Sequence, residues 1–405
     1  MKEIAEEVSL YIHIPFCISK CAYCDFFSQP YTKDLLLPLL GKYIKALSNE
    51  IAFRLADFNV KKIQTIYIGG GTPSLLSAEN FFSLFDYIKS SGKLTSDAEI
   101  TVEVNPDDIN QKLLETLQAC GVNRISCGIQ SMNDAALKKA CRRADYKTNQ
   151  QALTLFQQYW KGQLSLDLIS GLPLDDEKSL IKSLEEICSA NPDHISLYSL
   201  IIEENTPFGR QLASGQLNYD FDWADKLWLI GRDFLEEQGY VWYEVSNFCR
   251  PGKECRHNLS YWTHKSYIGC GSGACGTVYQ DDGEGIRWTN SNNISEYIDF
   301  WEQSSYVHEN QSMEENKLPQ ILETIDKDTS EFEFFMMGLR KIQGIRDADF
   351  MKIFQHELPE KFLQLFKAWE DKGLCQKRKL DDGTLEYAMS RQGMLFLNRF
   401  LEELC

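Results

Sequence analysis

Along the first half of the chain, short runs rich in β-branched and aromatic residues alternate with longer amphipathic stretches. The runs are SLYIHI (9–14), TIYIGG (65–70), ITVEVN (100–105), RISCGI (124–129), LSLDLI (164–169) and HISLYSLI (194–201). Between them lie LLPLLGKYIKALSNEIAFRL, AENFFSLFDYIKS, QKLLETLQAC and QQALTLFQQYW, whose apolar positions recur at helical spacing. Six strands, each followed by a helix at roughly 30-residue intervals, predict βαβ units and a parallel sheet.

The polar residues choose between a doubly wound sheet and a barrel. They fall at the carboxyl ends of successive strands: cysteines after the first, Gly69–Thr72 after the second, Glu103 in the third, Gln130 after the fourth and Asp167 in the fifth. A barrel brings all of these to one face, whereas a doubly wound sheet gathers only those beside its switch point. The pattern therefore predicts an α/β fold, a partial (β/α)6 TIM-like barrel over residues 1–240. A segment rich in glycine, asparagine and aromatics, including HNLSYW (257–262), then extends or caps the barrel over 241–308, and the polar, acidic 309–327 reads as a linker. Residues 328–405 read as helix, helix, hairpin, helix, a small winged-helix-like α+β domain, with Thr329 and Ser330 as caps, Gly344 as a stop and DDG as the hairpin turn.

Composition narrows the function. With 405 residues, 43% of them hydrophobic, the chain can bury one large core and a small one. A net charge of −17 leaves no broad basic surface, so no nucleic-acid partner is expected. The opening MKEIAEEVSLYIHIPF lacks a secretory signal pattern and no window is apolar enough to span a membrane, which points to a cytoplasmic location. Of thirteen cysteines, most are expected to be small buried hydrophobes in a reducing compartment.

Cys17, Cys21 and Cys24, in CISKCAYCDF, stand apart from the others. Three thiolates on one loop can each bind one iron of a 4Fe–4S cluster, and because such clusters normally have four cysteines, one iron is left open. A structural zinc site would show a second cysteine pair of matching spacing, which this sequence lacks. In IYIGGGTPSLL (66–76), three successive glycines let the backbone approach a ligand closely. The stretch is not a phosphate loop: no Gly-Lys-Ser/Thr follows, and Ser74 interrupts the G-x-G-x-x-G spacing.

A C-x3-C-x2-C loop after the first strand of such a barrel, with GGGTP after the second, resembles the radical S-adenosylmethionine (SAM) superfamily. The resemblance implies that the open iron chelates SAM and that one-electron reduction cleaves its sulfonium. It places Tyr11, Gly70, Gly71 and Thr72 near the cofactor, and it assigns SAM binding to Glu103, Gln130, Arg142 and Asp167. Arg142, beside Arg143 on a helix-patterned surface, is the loosest match, whereas Asp167 is an acid inside an otherwise apolar strand, where burial without a partner is costly.

Within the superfamily the chain resembles two relatives of different function: the oxygen-independent coproporphyrinogen III dehydrogenases and the HemW-type haem chaperones. Three features favour the chaperones. Phe26 stands where the enzyme has a fourth cysteine, the first strand begins within ten residues of Met1, and HNLSYW matches an element those chaperones associate with haem. The resemblance then implies His257 as an axial iron ligand, with Tyr261 and Trp262 as flat contacts for the macrocycle. The same motif could instead brace the barrel mouth through hydrogen bonds. Cys275 occupies a position where the family commonly has a histidine. The implied cofactors are a 4Fe–4S cluster, SAM and haem. The implied partners are acceptor haemoproteins, an electron donor for the cluster, and a peripheral membrane contact to reach respiratory acceptors. No catalytic residue is assigned, and the alternatives are the dehydrogenase and a zinc-stabilised interaction protein.

Overall fold

The computed structural model describes residues 5–303 and 318–405. Its centre is a run of six parallel strands: β1 (Glu7–Ile14), β2 (Lys62–Gly70), β3 (Leu94–Val104), β4 (Arg124–Gln130), β5 (Gln163–Ser170) and β6 (His194–Ser199). They lie side by side in sequence order, with no switch point. That order is the one a barrel requires and a doubly wound sheet cannot have.

Along each strand, successive residues alternate in chemistry as their side chains point to opposite faces of the sheet. Leu10, Ile12, Ile66, Ile68, Ile125, Leu166, Ile195 and Leu197 are fully buried and share one apolar core with the inner faces of the intervening helices, among them Leu47, Phe81, Leu84, Leu114, Leu117 and Leu184. Each such side chain contributes roughly 1.5–3 kcal/mol by leaving water. The residues between them, Ser9, Thr65, Thr101, Ser126, Ser165, His194 and Ser196, are buried and polar, and they line the concave side of the sheet. Thus the outward face holds the fold together, and the inward face is free to carry chemistry.

The helices start where the sequence supplies caps. Ser77, Asn110, Asp145 and Asp176 each accept a backbone N–H of the helix they precede, and Asp176 forms a reciprocal box with Ser179.

The extension forms on both edges of the core. On one side β7 (Val241–Glu244) and β8 (Asn247–Cys249) add antiparallel beyond β6. On the other, β9 (Tyr267–Cys270) pairs parallel with β1 as a seventh parallel strand, followed by antiparallel β10 (Cys275–Tyr279) and β11 (Gly285–Asn290). Of the stretch read as a linker, 309–317 lies outside the described residues, and Gln320–Ile325 is a strand, β12, paired antiparallel with β11. Its polarity reflects an edge position: Ile321 and Leu322 are exposed and Ile325 is buried.

The C-terminal part runs helix Lys327–Gly338, strand Ile345–Arg346, helices Asp347–Phe354 and Glu360–Glu370, hairpin Cys375–Lys379 with Leu385–Met389, and helix Leu397–Leu404. The first helix is capped by Asp326, whose side chain accepts from Thr329 N, and not by Thr329 or Ser330. Helix Asp347–Phe354 did not stand out in the sequence because only Phe350 and Phe354 mark its buried face. This part docks on the barrel through backbone bonds from Ile342 N to Tyr243 O and from Val245 N to Arg340 O.

Candidate functional site

The cysteine loop follows directly from β1. Phe16–Cys17 pairs with Gln29–Pro30, and Tyr31 N donates to Cys17 O, so the loop between is closed at its base. A second clamp comes from His13, whose Nδ1 lies 2.8 Å from Tyr11 Oη and whose Nε2 lies 2.8 Å from Phe27 O. Burial lowers the His13 pKa, so a neutral ring accepts from Tyr11 at Nδ1 and donates to the carbonyl from Nε2. Cys17 is buried, while Cys21 and Cys24 are partly exposed.

Two sulfurs already receive donors. Thr72 Oγ1 lies 3.4 Å from Cys17 Sγ, and Arg142 Nη1 lies 3.5 Å from Cys21 Sγ. Burial pushes the Cys24 thiol up to about 11, while a hydrogen bond with the Phe26 backbone pulls the other way. Among the described residues, no three His, Cys, Asp or Glu side chains converge on a single metal position. An iron–sulfur cluster does not ask for that convergence, because each thiolate takes a separate iron and the sulfurs stand apart around the cluster.

The glycine run lets β2 pass under this loop. Gly70 has φ +108°, and a Cβ there would lie 2.6 Å from the His13 ring. At Gly71 a Cβ would lie 2.7 Å from Phe16 O, so only glycine fits the crossing. Thr72, next in line, is buried, and its hydroxyl also accepts from Asn105 Nδ2 at 3.1 Å.

Two carboxylates face inward from β3 and β5, the strands on either side of β4. Glu103 accepts from Tyr67 Oη at 2.7 Å and from Gly70 N at 3.3 Å, and burial pushes its pKa up to about 7 against the pull of Tyr67. Asp167 accepts from Ser126 Oγ at 2.9 Å and from Ser165 Oγ at 3.3 Å. Burial raises its pKa, and the hydroxyls of Ser196, Ser126 and Ser165 oppose that rise.

Gln130 ends β4 in the left-handed region, φ +68°, and its Oε1 is buried without a partner. Arg142 differs from the sequence expectation of a helix-surface residue. It follows Cys141, itself left-handed at φ +56°, in the gap between helices Asp134–Lys139 and Tyr146–Tyr159. Its guanidinium turns inward, donating to Gly128 O at 2.6 Å and Asn105 Oδ1 at 3.1 Å, with Nε left unpaired. The neighbouring Arg143 takes the surface role and pairs with Asp107 and Asp108. A cleft opens here between Ile18, Ser19, Cys21, Thr72, Asn105 and Arg142. Asn105, which joins Thr72 to Arg142, escaped the sequence reading, although its place just after β3, two residues past Glu103, marks it.

HNLSYW forms the helix Arg256–Trp262, whose N-terminal end sits against Glu99. Glu99 accepts from Arg256 N and His257 N at 3.1 and 2.9 Å. His257 is buried inside the barrel, with Nδ1 2.7 Å from Thr65 Oγ1 and Nε2 2.9 Å from Tyr261 Oη. Its ring stacks on Tyr67 at 5.1 Å, and burial lowers its pKa to about 3. The expected iron ligand thus has both nitrogens engaged in this arrangement, which is the bracing geometry. Tyr261 packs edge-on against Tyr267, and Trp262 lies under Arg340 of the C-terminal part. Cys275 accepts only a long contact from Tyr267 Oη, 3.8 Å.

Comparison with known proteins gives concordant results. Residues 11–187 match the Radical SAM superfamily. The heme chaperone HemW of Escherichia coli (strain K12) is 32% identical, over 98% of this chain and 97% of its own length. HemW of Bacillus subtilis (strain 168) is 33% identical, over 90% and 92% respectively. Among solved structures, coproporphyrinogen III oxidase (HemN) from Escherichia coli superposes with a TM-score of 0.78 at 20% identity, covering 99% of this chain and 90% of that one. At that identity the likeness shows the fold alone.

Proposed function

Because the chain belongs to the HemW family of the radical SAM superfamily, we propose that it is a haem chaperone, which binds haem and passes it to acceptor haemoproteins while carrying a 4Fe–4S cluster and SAM. Cys17, Cys21 and Cys24 would hold the cluster, and Tyr11, Gly70, Gly71, Thr72, Glu103, Gln130, Arg142 and Asp167 would hold SAM. The residues fit these groups. Three thiols share one clamped loop, and the unpaired Gln130 Oε1 and Arg142 Nε are buried polar atoms of the kind a ligand satisfies. When bound, the pair supplies one-electron cleavage of a sulfonium.

The chain's own groups prepare the site. Thr72 and Arg142 donate toward sulfur and offset thiolate charge. Glu103, half neutral near pH 7 when the site is empty, becomes fully ionised beside a ligand ammonium. For haem, His257 is the proposed axial ligand, and it must first release Tyr261 from Nε2. The acceptor, the electron donor and any peripheral membrane contact belong to the same reading. Among the described residues no helix is long and apolar enough to cross a membrane.

The observation that carries the chaperone over the dehydrogenase is Phe26, 72% exposed at the position where the resemblance gives the enzyme a fourth cysteine. The test is anaerobic reconstitution, haemin titration followed by absorbance, and incubation with coproporphyrinogen III. A stable haem complex without decarboxylation is expected. Conversion to protoporphyrinogen IX would establish the dehydrogenase instead.

A further inference from the structure

The buried polar groups of the barrel's concave side include a hydrogen-bonded series that the functions above leave unused. It begins at Cys255, which caps the HNLSYW helix and whose N–H donates to Tyr243 Oη at 3.2 Å. Tyr243 Oη lies 2.9 Å from His194 Nε2, and His194 Nδ1 lies 2.8 Å from Ser165 Oγ. Ser165 Oγ in turn reaches Asp167 Oδ1 at 3.3 Å.

The proton count gives this series a direction. Asp167 is acceptor-only when ionised, so the single Ser165 proton points to it, and Ser165 must then accept from His194. That requires a proton on Nδ1. The neutral ring consequently accepts at Nε2, from the Tyr243 hydroxyl, whose oxygen accepts the Cys255 N–H. Every group donates once and in one sense. Strand register supports the arrangement, since Ser165 lies opposite both Ser126 and His194, and Asp167 lies opposite Ser196. His194 and Ser165 are fully buried, so no water competes for these bonds.

We propose that His194 is a positioning residue for the SAM site: fixed as the Nδ1–H tautomer between Tyr243 and Ser165, it turns the Ser165 hydroxyl onto Asp167 and holds that carboxylate ready for its ligand. The proposal rests on the reading of Asp167 as a SAM-binding residue. It also ties the seat of the HNLSYW helix to the orientation of Asp167, through the N–H of Cys255.

The test measures SAM binding by equilibrium dialysis on the anaerobically reconstituted chain, with urea melts to show that each variant is folded. Asp167→Asn weakens binding if the underlying reading holds. Ser165→Ala and His194→Leu each weaken it roughly tenfold, the effect of one hydrogen bond to a charged group. His194→Asn, which keeps a donor at the Nδ1 position, stays within about twofold of the parent on the same scale. In an Asp167→Asn background the Ser165→Ala loss disappears, which a merely structural role would not produce. Long-range proton–nitrogen correlation spectra show His194 as the Nδ1–H tautomer. If Asp167→Asn weakens binding but Ser165→Ala and His194→Leu do not, or if Nε2 carries the proton, the positioning role falls and the site reading stands. If Asp167→Asn binds SAM like the parent, both fall.

Discussion

The cysteine loop and the HNLSYW helix both offer metal-binding residue types, and the barrel holds them in opposite ways. Around the loop, the backbone is clamped by His13 and by the pairing of Phe16–Cys17 with Gln29–Pro30, while Cys21 and Cys24 keep access to solvent and the Arg142 and Gln130 side chains retain unpaired atoms. In the helix, His257 has no free nitrogen, and Ser260, Tyr261 and Glu99 complete its surroundings. The first region is preorganised and open. The second is latched, so ligand binding there has to break protein contacts first.

The largest effect should come from the open region. Cys21→Ala is expected to abolish retention of iron after anaerobic reconstitution, as read by iron and acid-labile sulfide content, with the urea midpoint of the unloaded chain nearly unchanged. His257→Leu sharpens the other side of the comparison. It strands the Tyr261 hydroxyl in the interior, leaves Thr65 with Ser9 as its partner, and should destabilise the chain by about 1–3 kcal/mol in urea melts, while folded protein still takes up the cluster.

Glu103 supplies a pH test within the open region. Its pKa is about 7 in the folded chain and ordinary when unfolded, so the neutral form is favoured by folding. The stability it gives is complete below about pH 4.5 and lost as pH rises through about 7, roughly 3 kcal/mol in all. The stability difference between the parent chain and Glu103→Gln should fall over that window and stay flat above it. In the latched region, Tyr261→Phe removes the group that occupies His257 Nε2, so haemin should bind up to about tenfold more tightly, the worth of one neutral hydrogen bond. Unchanged affinity would take His257 off the list of ligands. The smallest effect is expected at the exposed Phe26: Phe26→Ser should leave iron content intact and shift stability by no more than about 0.5 kcal/mol.

The six core strands were legible because outward positions such as Leu10, Ile66 and Leu166 must bury against helices, and that requirement writes a period into the sequence. The cysteines, glycines and strand-end acids were legible because their spacing is local. Arg142 was the loosest of the SAM assignments because it sat in a helix-patterned stretch; its inward turn depends on the left-handed Cys141, which no hydrophobic pattern encodes. The state of His257 was equally hidden: its partners Thr65 and Glu99 lie more than 150 residues away, and only the folded barrel brings them together. Strand Gln320–Ile325 looked like linker because an edge strand exposes most of its side chains.

The proposed cluster site, three thiolates on one loop with one iron left for SAM, is the feature on which the rest depends. It is tested most directly by the electron paramagnetic resonance spectrum of the reduced, reconstituted chain with and without SAM. A 4Fe–4S signal that changes on adding SAM is the predicted result. A signal indifferent to SAM, or a reconstituted chain that takes up zinc and no cluster, would contradict it.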